Sequence, residues 1–82
     1  MKTAVAKERT DKLGFKYLTY KVDRKIVVEI EYPNEYTHGF RTFGRGWCHG
    51  LHSTIETCKE DAEAFLRGFY SIFGGIDIVY AK

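Results

Sequence analysis

Cysteine, proline, long apolar runs and net charge are all scarce in this 82-residue chain, and each scarcity removes a class of protein. The two cysteines, Cys48 and Cys58, allow one bridge at most, whereas small secreted domains usually depend on two or more. The N-terminus, Met1-Lys2-Thr3-Ala4-Val5-Ala6-Lys7-Glu8-Arg9, is charged and lacks the apolar core of a signal peptide. A cytoplasmic protein with reduced thiols is therefore expected. The run Ile26-Val27-Val28 spans only three residues, against the roughly 18 to 20 that a membrane helix needs, so no membrane partner is expected. A net charge of +2 with 44% hydrophobic residues excludes the composition that keeps chains disordered. Linkers, repeats and low-complexity tracts are absent, and the length holds one core, so residues 1–82 read as a single domain.

Aromatic residues are abundant by contrast, with six Phe, six Tyr and one Trp. Each buries a large area, so the core is the default place for any one of them.

Residues 1–13 are polar and end at Gly14, which fits either a short helix with a glycine exit or a frayed arm. From Phe15 to Val22 the chain alternates, with Leu18, Tyr20 and Val22 on one side. Ile26, Val28, Ile30 and Tyr32 alternate with Glu29 and Glu31, and Asp23 to Lys25 supply a turn, so an antiparallel hairpin is expected. Pro33-Asn34-Glu35 ends it. A third strand fits around Phe40 to Phe43 and a fourth from Trp47 to Ile55, with Gly44-Arg45-Gly46 as a turn or bulge.

Thr57 and Glu60 have capping-box spacing, and Gly74-Gly75 supplies a helix exit. Between them Cys58, Ala62, Phe65, Leu66, Phe69, Ile72 and Phe73 form one apolar stripe, while Glu63 and Arg67 sit four apart on the other face. Ile76, Ile78 and Tyr80 then alternate as a closing strand. The pattern predicts an α+β fold, a small antiparallel sheet of three to four strands packed on one C-terminal helix, in the order β-β-β-α-β after the N-terminal segment.

No constellation here specifies a reaction. Cys48, His49, His52 and Cys58, with His38 nearby, are zinc-ligand types, yet no Cys-x-x-Cys pair exists and Cys58 lies on the helix stripe. Cys48 beside His49 or His52 lacks an orienting third group, because Glu56 and Glu60 are explained by the helix start. A chain this short also has little volume for a pocket of the usual ~300 Å³. Gly44-Arg45-Gly46-Trp47-Cys48-His49-Gly50 misses the G-x-G-x-x-G spacing by one residue. No catalytic residue, metal or cofactor is expected, and a small zinc- or cysteine-dependent protein is the least favoured reading.

The segment Tyr36 to Trp47 is richer. Tyr36, His38, Arg41, Phe43, Arg45 and Trp47 are the residue types that stack on bases and contact phosphates, and Trp, Tyr and Arg also dominate protein interfaces. Residues 1–25 hold eight basic and three acidic side chains, a balance of +5, against −3 for residues 26–82. Lys7, Arg9, Lys12, Arg24 and Lys25 are thus a candidate basic contact surface. The isoelectric point of about 8.6 nonetheless lies below the range above 9 of dedicated nucleic-acid domains.

These features favour a non-enzymatic binding protein that docks on a larger protein or nucleoprotein complex and modulates it. By analogy of size and of what is absent, small phage-encoded inhibitors of host defence, anti-CRISPR proteins included, are one population of such chains. Binding of single-stranded or structured nucleic acid is the alternative. A sheet with open edges and exposed aromatics such as Tyr17 also suits a homodimer.

Overall fold

The computed structural model describes residues 1–44 and 47–82, the side chains of residues 47 and 49 excepted. Six strands and one helix follow one another as β1 (Lys2–Thr10), β2 (Lys16–Val22), β3 (Lys25–Glu31), β4 (Phe40–Gly44), β5 (Trp47–His52), α1 (Ile55–Tyr70) and β6 (Ile76–Tyr80), with a 3₁₀ turn at Ser71–Phe73. They form one sheet in the order β5-β4-β3-β2-β1-β6. The architecture is α+β, as the pattern predicts, but with six strands rather than three to four. The sheet is mixed rather than antiparallel, since β6 pairs parallel to β1.

Connectivity explains the parallel pair. Strands β1 to β5 form an antiparallel meander, so the chain leaves β5 at one edge of the sheet. The 16 residues of α1 then span about 24 Å, close to the width of six strands at roughly 4.8 Å spacing. The helix therefore carries the chain back across one face to the far edge. Parallel pairing requires such a crossover.

Residues 2–10 are neither helix nor frayed arm but an inner strand of the sheet, held by β2 on one side and β6 on the other. Ala4 and Ala6 carry its apolar phase and are fully buried, while Thr3, Val5 and Lys7 alternate with them and are exposed. Alanine is a weak strand signal, so the phase is hidden in the sequence. Its smallness has a use, because Ala6 lies between Tyr20 of β2 and Tyr80 of β6. The two rings meet edge to face above it, 5.9 Å apart, and their hydroxyls lie at 2.7 Å.

The β2–β3 hairpin turns at Asp23-Arg24, both at positive φ (52° and 69°), as a two-residue turn matched to strand twist requires. An irregularity at Tyr20/Lys21 leaves Val27 without a partner and shifts the phase of β3. Val28 and Ile30 remain buried, whereas Ile26, expected beside them, is 52% exposed and pairs with Lys21 on the opposite face.

Helix α1 starts three residues earlier than the Thr57–Glu60 spacing suggests. Thr54 is the N-cap, and its side chain accepts from the Thr57 amide at 3.2 Å. The buried stripe is Cys58, Ala62, Leu66 and Tyr70, with Ile55, Phe65 and Phe69 partly buried against it. Ile72 and Phe73 fall outside it, because the helix has ended and the 3₁₀ turn exposes them at 83% and 58%. Glu63 and Arg67 pair across one turn at 3.0 Å as expected. Glu63 also accepts from the Tyr80 hydroxyl at 2.7 Å. A hydroxyl has one proton, so Tyr80 gives its own to Glu63 and accepts the one from buried Tyr20. This chain of hydrogen bonds ties β2, β6 and α1 together.

Candidate functional site

Helix α1 packs on the face that carries Leu18, Tyr20, Val28, Ile30 and Thr42. Among the described residues no element lies on the other face, whose side chains the register arranges in three rows across the strands. One row runs Val79, Val5, Lys21, Ile26. The middle row runs Lys7, Thr19, Glu29, Phe43, Cys48, and the third runs Arg9, Tyr17, Glu31, Arg41, Leu51.

The rows differ in chemistry. Val5, Ile26 and Val79 leave 43%, 52% and 51% of their surface in solvent, and Leu51 leaves 65% at the opposite corner. Arg41 donates to Glu31 at 2.6 Å, and its guanidinium stands 5.6 Å from the centre of the Phe43 ring. Arg9 donates through Nε to the fully buried Thr19 hydroxyl at 3.1 Å. Glu29 makes no hydrogen bond or ion pair with a described residue, and burial, followed by the neighbouring Glu31 carboxylate, pushes its carboxyl up.

Of the four candidate contact residues in segment 36–47 whose side chains are described, two reach this face. Arg41 and Phe43 are adjacent on it. Tyr36 lies in the β3–β4 loop, 77% exposed, with its ring edge to face with Phe15 at 6.5 Å. The loop is shaped by Asn34, whose side chain accepts from the Tyr36 and Thr37 amides at 2.7 and 3.2 Å. His38 is exposed in the same loop, before Gly39, where φ is 74° and an added Cβ would stand only 2.8 Å from the His52 carbonyl oxygen, so a side chain is excluded. Arg45 lies outside the described residues. Trp47, whose side chain lies outside the described residues, opens β5 at the far end of the β4–β5 hairpin from Tyr36 and His38, so the described part of the segment is spread along the hairpin.

The candidate basic surface also divides. Lys7 and Arg9 stand on the uncovered face, Lys12 belongs to the β1–β2 turn, and Arg24 and Lys25 are at the β2–β3 turn, at the opposite end of β2. Lys2, from the same basic stretch, is paired with Asp23 at 2.6 Å. Sequence reasoning missed Val5, Lys21, Ile26, Glu29, Leu51 and Val79 as members of one surface. The period-two phase of β1 and β6 was the available signal for Val5 and Val79.

The His49 side chain lies outside the described residues, and among the described residues no group of three ligand-type side chains comes together. Cys58 is fully buried, 3.0 Å from the Thr42 hydroxyl, and burial raises its thiol pKa, whereas Cys48 is exposed on β5. His52 instead meets Asp61 of α1 at 2.9 Å, in space that a side chain at Gly50 would fill. Concave volume is larger than the chain length suggests, with about 520 Å³ beside Val22, Lys25, Ile26 and Tyr70, but neither histidine nor cysteine lines it. Among the described residues no helix is long and apolar enough to cross a membrane. Compared with protein-family models, curated proteins and solved structures, the chain matches none.

Proposed function

We propose that this chain is a non-enzymatic binding protein that docks on a larger protein through the uncovered face of its sheet and modulates that partner by occupying its surface. One observation carries the reading. Among the described residues the six-stranded sheet has no second layer on one face, and that face holds four well-exposed apolar side chains, Val5, Ile26, Leu51 and Val79, beside Arg41 and Phe43. Apolar anchors, an aromatic and an arginine within a polar surround are the composition of a protein interface. The modulation we favour is inhibition of a host-defence or nucleic-acid-processing complex, which rests on analogy with other small chains that lack a catalytic set.

Nucleic-acid binding is the second reading, favoured by Lys7, Arg9 and Lys21 with Tyr17 on the same face. Against it, Glu29 and Glu31 lie in the middle of the face and Arg41 is already neutralised by Glu31, which weakens the attraction for phosphate. Capture from lysate with the tagged chain, with and without nuclease, separates the two. A stoichiometric protein retained after nuclease supports docking on protein. Recovery that vanishes with nuclease, or no partner at all, contradicts it.

A further inference from the structure

The uncovered face runs out, at the end where β2 begins and β3 ends, into a cavity of about 240 Å³. Asp11, Glu29 and Glu31 line it together with three aromatic residues, Phe15, Tyr17 and Tyr32. Two of the carboxylates are already engaged. One Asp11 oxygen accepts from the amides of Leu13 and Phe15, both at 2.9 Å, and Glu31 holds Arg41. The third, Glu29, has neither a cation nor a hydrogen-bond donor among the described residues, although it is half-buried. A carboxylate withdrawn from water without a partner is unfavourable, and a cation brought into the cavity would relieve it. The basic side chain among the lining residues, Lys16, is exposed and carries no ion pair. Arg9, the other cation near Tyr17, is committed to Thr19.

Aromatic rings and a free carboxylate around a small cavity are complementary to an organic cation. At about 240 Å³ the cavity is smaller than the roughly 300 Å³ at which sites for drug-sized ligands begin, so it suits one side chain. A planar guanidinium can donate to a carboxylate through two N–H groups while stacking on a ring, which a compact ammonium cannot do. We infer that this cavity receives an arginine side chain presented by the protein partner, with Glu29 as the acceptor of the guanidinium. The inference rests on the docking reading and adds the chemistry of one anchor.

The test uses the isolated full-length chain, so that it reads the cavity independently of any partner. Nα-acetyl-arginine-methylamide is titrated into ¹⁵N-labelled protein at pH 7 and low salt, alongside the lysine analogue, with amide shifts recorded. Saturable shifts in residues 11–17 and 29–34, tighter for arginine than for lysine, are expected. Glu29→Gln should weaken that binding by about tenfold or more, as loss of a charge-assisted hydrogen bond does. Glu29→Gln removes an unpaired, half-buried charge and so leaves the fold intact, while Glu56→Gln on the exposed helix start should bind as the parent does. Absence of saturable shifts at the cavity, tighter binding of the lysine analogue, or an unchanged affinity in Glu29→Gln would overturn the assignment. Failure here with a partner captured from lysate removes the arginine anchor alone, and a cavity that binds arginine in a chain that captures no protein removes the docking reading alone.

Discussion

Tyr80→Phe should cost the protein more stability than Tyr20→Phe, although Tyr20 is the more buried of the two. In the native chain Tyr20 donates to Tyr80, which donates to Glu63, which also accepts from Arg67. Removing the Tyr80 oxygen leaves the hydroxyl of Tyr20, a residue with no solvent exposure, without an acceptor, which costs about 1–3 kcal/mol. It also takes a donor from Glu63, whose side chain is 27% exposed and regains part of the loss from water, adding up to about 1 kcal/mol. The expected total is about 1–4 kcal/mol. Removing the Tyr20 hydroxyl instead leaves Tyr80 bonded to Glu63 and 39% exposed to water, so the cost should stay near 0.5–1.5 kcal/mol. Urea unfolding followed by circular dichroism at pH 7 reads the difference, and with a slope near ~1 kcal/mol/M the Tyr80→Phe midpoint should fall by about 1–4 M. The Tyr80 hydrogen bond, ahead of Arg67, holds the Glu63 carboxyl below its usual range. Its contribution is therefore present above the unfolded-state pKa of about 4.3 and lost as pH falls through the lower native value, so the gap between parent and Tyr80→Phe should narrow in acid. Equal losses for the two variants, or a larger one for Tyr20→Phe, would refute the direction assigned to the chain.

Arg24→Gly should stabilise by about 0.5–1 kcal/mol, because φ of 69° is strained for arginine and free for glycine; thermal unfolding checks it. Thr54→Ala should cost about 1 kcal/mol through loss of the N-cap, and more than Glu60→Ala, a ranking that denaturant curves can test. One thiol per native chain, Cys48, should react with a thiol reagent, and Cys58 only on unfolding; two fast thiols would contradict the burial of Cys58. Burial pushes the Tyr80 phenol up to about 12, so its contribution is complete below the unfolded-state pKa of about 10 and lost as pH rises through about 12. Alkaline unfolding monitored by tyrosinate absorbance should show that loss.

Legibility from sequence followed side-chain size. Helix α1, the β2–β3 hairpin and β6 were readable because Leu, Ile, Val and aromatics mark their phase. Strand β1 was not, since Ala4 and Ala6 carry its buried phase, and its parallel partnership with β6 is non-local. The phase shift at Tyr20/Lys21 moved Ile26 to the other face, and no residue type announces a bulge of that kind. The helix start moved from Thr57 to Thr54 because both threonines have cap chemistry and only packing chooses between them. Residue type alone makes Arg41 and Phe43 candidate contact residues, but their neighbours on the face, Lys7, Glu29, Glu31 and Leu51, come from three different strands that only the register brings together.

The central claim is that the uncovered face makes the contact, and lysate capture with three forms of the tagged chain tests it most directly. Phe43→Asp places a charge beside Arg41 in the middle of that face, and Ile72→Asp places one on the 83%-exposed turn after α1. The parent and Ile72→Asp should retain the same stoichiometric protein partner while Phe43→Asp, still folded by circular dichroism, loses it. A partner retained by Phe43→Asp and lost by Ile72→Asp would move the interface to the helical side and contradict the account.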